Sequence, residues 1–101
     1  MAFVKVATLA QLQSELLLEV MVDDKPYALC LVNGQVHAVD GTCPHQGGPL
    51  GQGMLNGSKI MCPWHAWEFD CTTGLNDYEP DDKVAVFPVK VEGQEVFIDI
   101  A

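Results

Sequence analysis

No arginine occurs among these 101 residues, and five lysines stand against fourteen acidic side chains, a net charge of −9. Without guanidinium forks or a basic patch, the chain has little to offer a phosphate backbone or an anionic membrane surface, so neither nucleic acid nor membrane is an expected partner. No run approaches the roughly 18 apolar residues a membrane helix needs; Leu16-Leu17-Leu18 is broken at once by Glu19. The N-terminus also lacks the basic start, continuous apolar segment and small-residue cleavage site of a secretory leader. A soluble cytoplasmic protein is the expectation. Repeats, linkers and low-complexity stretches are missing, and so are a nucleotide-phosphate loop and a flavin fingerprint. Histidine is scarce, with only His37, His45 and His65.

What is present suits one small domain, residues 1–101, with a modest core. An apolar fraction of 49% argues against disorder. Short apolar and β-branched runs alternate with turn pairs: Phe3 to Val6, Leu17 to Val22, Tyr27 to Val32, Val36 to Val39, Lys59 to Met61, Val84 to Val91 and Glu95 to Ile100. That is all-β patterning. Asn33-Gly34 and Asn56-Gly57 are the strongest hairpin signals, and Glu92-Gly93 is a weaker third. The expected topology is an antiparallel meander. Thr8 to Leu16, with a Thr start and Leu9, Leu12 and Leu16 at near-helical spacing, predicts a short helical turn. An excess of acidic groups steers such a surface toward a basic face of a partner, or serves only solubility.

Cysteine is used sparingly but in a telling place. Two short loops carry Cys43-Pro44-His45 and Cys62-Pro63-Trp64-His65, so each offers one soft thiolate and one imidazole. Those are metal-ligand spacings, which favour a reducing compartment over a disulfide scaffold. Cys30 and Cys71 are expected to be plain buried or half-buried thiols packing as small hydrophobes. His37 is expected on a strand surface and not as a ligand. The loop from Asp40 to Gly53, rich in Gly and Pro, can aim several backbone N–H groups at one point.

The Cys/His order, the spacing and the proline beside each Cys resemble the Rieske 2Fe-2S family. The resemblance runs from Tyr27 to Ile100 and is densest in Cys43-Pro44-His45-Gln46-Gly47-Gly48-Pro49-Leu50 and in Cys62-Pro63-Trp64-His65-Ala66-Trp67-Glu68-Phe69-Asp70. Ala66 stands where Gly is common. The resemblance implies an all-β, Rieske-like antiparallel sandwich or barrel with a small cluster-binding subdomain formed by two loops, in about residues 40–80. It implies one 2Fe-2S cluster, with Cys43 and Cys62 on one iron and His45 and His65 on the other. It also implies a third, proline-containing loop over the cluster, where Tyr78-Glu79-Pro80 falls. The competing reading is a single structural zinc bound by all four side chains. Zinc fingers usually place both Cys in one unit and both His in another, and here each loop mixes them.

Two departures select a subclass. High-potential members carry an extra Cys in each loop that bridge to each other, and here those positions are Gly48 and Trp64. They also place Ser and Tyr hydroxyls near the sulfurs, where this chain has Trp67 and Phe69. Fewer donors favour the oxidised state, so the expected potential lies in the lower Rieske range, roughly −150 mV. Trp64 and Trp67 are expected to pack over the cluster. The acidic run Asp77, Glu79, Asp81, Asp82 is a solvated loop or a docking face.

A Rieske oxygenase needs a second, mononuclear iron on two His and a carboxylate, and only His37 is left over. The chain is therefore not expected to be an enzyme by itself. It resembles the ferredoxins of bacterial aromatic-ring dioxygenase systems, which implies a carrier from a flavin-containing, NAD(P)H-dependent reductase to a terminal oxygenase in aromatic hydrocarbon catabolism; a small acidic carrier that docks transiently is expected to be a monomer. The alternatives are the small subunit of an assimilatory nitrite reductase, many of which lack the ligand set, and a zinc-stabilised interaction domain.

Overall fold

A computed structural model describes residues 3–43, 47–63, 67–76 and 83–100. Strand β1 (Phe3–Thr8) leads into helix α1 (Leu9–Glu15), followed by β2 (Leu17–Val22), β3 (Lys25–Val32) and β4 (Gln35–Asp40). A 3₁₀ turn (Leu50–Gln52) then precedes β5 (Met54–Asn56), β6 (Lys59–Met61) and β7 (Glu68–Asp70). The chain returns through β8 (Val86–Phe87), β9 (Val89–Glu92) and β10 (Glu95–Asp99). All the pairings between these strands are antiparallel, in three sheets ordered β1-β10-β9, β2-β3-β4-β8 and β5-β6-β7.

The local chemistry behind these elements is plain. Thr8 caps α1: its Oγ1 accepts from Gln11 N–H at 3.3 Å while its own N–H donates to Gln11 Oε1 at 2.9 Å, a reciprocal capping box. The β3–β4 hairpin turns on Asn33 and Gly34, both at positive φ (51° and 78°), the geometry a tight hairpin needs. The β5–β6 and β9–β10 turns each place a glycine first, at Gly57-Ser58 and Gly93-Gln94, one residue later than the Asn56-Gly57 and Glu92-Gly93 pairs. Val84 to Val91 is not one strand but two, divided at Pro88, which has no N–H to give a ladder.

The meander holds within β2–β3–β4, within β5–β6–β7 and at the β9–β10 hairpin, and fails at two other pairings. β1 pairs with β10, joining elements from opposite ends of the sequence, and β4 pairs with β8. Burial explains the closure: Val96 and Ile98 of β10 are fully buried with Leu12, Leu29 and Ala38, and a strand carrying them must sit inside the sheet system.

Strand β3 is a shared wall. Its Tyr27 and Leu29 enter one core, with α1, β4 and β10, while its Ala28 and Cys30 enter a second, with Val39, Leu50, Ile60 and Phe69. Side chains alternate across a strand, so a strand buried on both faces reads as an unbroken apolar run, as Tyr27 to Val32 does. The second core lies under the small sheet and contains the site.

Candidate metal centre

Cys43 and Cys62 enter the same core from two loops of matched construction. Each follows a strand, β4 or β6. Cys43 N–H donates to Gly48 O at 2.8 Å, and Cys62 N–H donates to Trp67 O at 2.7 Å, so each cysteine closes its loop onto the residue five positions ahead. Gly47 N–H returns to Cys43 O at 2.8 Å, and Thr42 bridges to Pro49. The loop ends are therefore pinned by backbone bonds whose partners are the cysteine residues themselves. Both side chains are buried, about 1% exposed, and neither enters a disulfide.

The surrounding elements hold these mouths in place. Leu50 N–H donates to Gly41 O at 2.9 Å, and Gln52 Nε2 donates to Glu19 Oε1 at 2.9 Å, tying the 3₁₀ turn to β2. On the other side, the turn after β7 is organised by Asp70, which accepts from Thr72 N–H at 2.7 Å and from the Thr72 hydroxyl, with Lys59 Nζ 3.7 Å away. Burial pushes the Asp70 carboxyl up, but the Thr72 hydroxyl and N–H, Lys59 and the Thr73 N–H outweigh it and hold the group below the usual carboxylate range. Gly74, at φ 78°, runs so close to Val84 O that a Cβ would collide with it, and its N–H closes the turn on Asp70 O at 2.7 Å.

The donor set suits an iron–sulfur group on the evidence of this core. Two thiol-bearing residues share one apolar, water-excluding environment with Phe69 and Leu50, and Trp67 packs against it half-buried. Thiolate sulfurs in such surroundings are what a 2Fe-2S cluster takes on its all-sulfur side. His45 and His65 lie outside the described residues, as do Trp64, Tyr78-Glu79-Pro80 and the acidic positions 77, 79, 81 and 82. His37 stands on β4 opposite Cys30, half-buried, in keeping with a strand position.

Cys30 and Cys71 depart from expectation. They are fully buried, as anticipated, but joined in a disulfide across 41 residues of sequence, with their Cα atoms 6.6 Å apart. The reason is topological: β6 and β7 fold back over β3, so the turn after β7 comes to rest against the middle of β3. Sequence alone offers no signal for such a pairing.

Comparison with known proteins agrees with this geometry. A family model described as the Rieske [2Fe-2S] domain matches residues 2–88. The ferredoxin component of the naphthalene 1,2-dioxygenase system of Pseudomonas aeruginosa is 39% identical over 85 residues, 83% of this chain and 82% of that protein. A chain in the complex of reduced oxygenase and oxidised ferredoxin of carbazole 1,9a-dioxygenase superposes with a TM-score of 0.84 at 32% identity, covering 95% of this chain and 91% of that one. A protein assigned as an NADH-dependent nitrite reductase small subunit, from Mycobacterium tuberculosis, shares the fold alone, with a TM-score of 0.86 at 21% identity over 99% and 96% of the two chains. Among the described residues, no helix is long and apolar enough to cross a membrane.

Proposed function

Because the chain belongs to the Rieske [2Fe-2S] domain family, we propose that residues 1–101 form one such domain and serve as a one-electron carrier of the dioxygenase-ferredoxin kind. Cys43 and Cys62 hold one iron of a single cluster and His45 and His65 the other. The observation that carries this reading is the pair of buried cysteines, outside any disulfide, at the mouths of two loops closed over the same span. When bound, such a cluster supplies transfer of one electron at a time.

The chain's own residues set the conditions for that transfer. Cys43 and Cys62, about 1% exposed, keep their side of the site dry, and Phe69 beside them has no hydroxyl to donate toward sulfur. Fewer hydroxyl donors favour the oxidised state, which supports a potential low in the Rieske range, roughly −150 mV. His45 and His65 are the ligands whose second ring nitrogen is left to meet a partner. With only His37 left once the cluster has its two histidines, too few remain for a mononuclear iron on two His and a carboxylate, so the chain carries out no substrate chemistry of its own.

Its donor is a flavin-containing, NAD(P)H-dependent reductase, and its acceptor is a terminal aromatic-ring oxygenase. The similarity to a naphthalene dioxygenase ferredoxin and to a chain of an oxygenase–ferredoxin complex supports that placement. So does charge. Lys5, Lys59 and Lys90 each pair with a carboxylate, at 2.9, 3.7 and 3.6 Å, so the net −9 is left to act on a basic docking face. A small acidic carrier that docks transiently works as a monomer, in the cytoplasm where reductase and oxygenase meet it. The intact four-ligand set weighs against a nitrite reductase small subunit.

The test is an electron paramagnetic resonance spectrum of the dithionite-reduced protein with iron and sulfide analysis. A low average g value, with about two irons and two sulfides per chain, is the expected result. A silent, colourless protein with one zinc overturns the reading in favour of an interaction module. His65→Cys, if it folds, is expected to lower the midpoint by replacing a neutral ligand with an anionic one, and an unchanged midpoint removes His65 from the ligand set.

A further inference from the structure

The three sheets are not held together in the same way. Sheet β5-β6-β7 shares no ladder with the other two among the described residues; it meets them through core packing, the 3₁₀ turn, the Leu75–Lys83 bridge with the bond from Val84 N–H to Gly74 O at 2.9 Å, and the Cys30–Cys71 bond. That bond runs from the middle of β3 to the turn after β7, where Cys71 N–H also donates to Ser58 O at 2.8 Å. The covalent ring it closes, residues 30–71, contains β4, the small sheet and all four proposed ligands. Helix α1 and strands β1, β2, β8, β9 and β10 lie outside it.

We propose that Cys30 and Cys71 are a second redox site, a dithiol–disulfide couple whose oxidised form locks the cluster-bearing sheet onto β3 and slows loss of the cluster. The retention half of this proposal rests on the ferredoxin reading; the couple itself does not. The oxidant is a low-molecular-weight disulfide of the glutathione class. One protein sulfur attacks it, forming a mixed disulfide and releasing one small thiol; the second protein sulfur then displaces the other small thiol. Two S–H bonds are lost on the protein, and both electrons and both protons end on the two small thiols. Both cysteines are fully buried, so exchange requires the small sheet to lift off β3. The holoprotein, with its loops fixed by four ligands, therefore exchanges slowly, and the apoprotein quickly.

Peptide mass mapping reads the couple directly. The holoprotein is equilibrated with oxidised or reduced glutathione, quenched in acid and alkylated. Expected is a Cys30–Cys71 crosslinked peptide pair in the oxidised sample, with Cys43 and Cys62 alkylated once acid has released their metal; Cys30 and Cys71 alkylated in both samples overturns the proposal. Retention is read as the rate of iron transfer to a chelator. The Cys30→Ala/Cys71→Ala variant and dithiothreitol-treated wild type are both expected to lose iron faster, on the order of tenfold, because the reduced chain no longer holds the ligand loops in one ring. Dithiothreitol should add nothing to the variant. Equal rates in wild type and variant, or an equal response to dithiothreitol, overturn the retention role. Mass reports the bond without reference to iron, and iron content reports the cluster without reference to the bond, so the two readings fail separately.

Discussion

The two faces of β3 look into two different kinds of core. On one side, Ala7, Leu12, Tyr27, Leu29, Ala38, Val96 and Ile98 pack between α1 and the two larger sheets without a single sulfur atom. On the other, all four cysteines of the chain lie among ten buried residues, under a sheet whose strands are three residues long. Strands that short expose much of their ladder and bury little apolar area, so they gain too little to offset the entropy of ordering them. The first core is held by burial alone. The second is crosslinked by a disulfide and, on the proposed ligand set, by metal as well, so that the residues proposed to supply function would also supply its stability.

That contrast is broken most severely at a proposed ligand. Cys62→Ala is expected to abolish the cluster, because a 2Fe-2S group cannot complete its all-sulfur iron with one thiolate. Amide exchange should then become fast across β5, β6 and β7 while β1–β4, β9 and β10 stay protected. Loss of protection throughout the molecule would show that the two cores are one cooperative unit.

Next in size is a cavity on the sulfur-free side. Leu12 is fully buried, and Leu12→Ala is expected to cost about 3 kcal/mol in the lost transfer free energy and the void left behind. Urea unfolding measures it. The paramagnetic signal of the reduced protein should be unchanged, since β3 stands between Leu12 and the cysteines. A shifted signal would mean that packing strain crosses the wall.

A smaller effect is expected at the helix start. Thr8→Ala removes the acceptor for Gln11 N–H and should cost about 1 kcal/mol. A seven-residue helix is marginal alone, so its amides should exchange faster than those of β10 beside it, and an unchanged exchange pattern would show that Leu12 burial holds the helix without its cap.

The two cores were unequally legible in the sequence. Leu17–Val22 and Lys59–Met61 are strands to the residue, the Asn33-Gly34 turn stands where the dipeptide put it, and Thr8 caps the helix. These are local signals, carried by propensity, turn chemistry and capping. Strands β5 and β7 are too short to show a period, and the Asp23-Asp24 turn, with both residues at positive φ, has no glycine to announce it. The β1–β10 closure and the Cys30–Cys71 bond are long-range facts that no window of sequence contains. Cys43 and Cys62 were legible because each stands at ligand spacing from a histidine, and the structure brings both into one core.

The smallest expected effect sharpens the comparison where the second core meets solvent. Asp70 accepts two bonds from Thr72 and faces Lys59, and its carboxyl is held below its ordinary range. A group whose pKa is lower folded than unfolded adds stability that is fully present above the unfolded value, about 3.9 for Asp, and is lost as pH falls through the folded one. Asp70→Asn keeps the size and one acceptor but not the charge. It should therefore cost roughly 0.5 kcal/mol at pH 7, and the gap between the two proteins in urea midpoint should narrow below the usual carboxylate range as wild-type Asp70 takes up its proton. A gap that stays constant through and below that range would assign the cost to shape and not to charge, and would leave the turn after β7, with the disulfide it carries, held by backbone bonds alone.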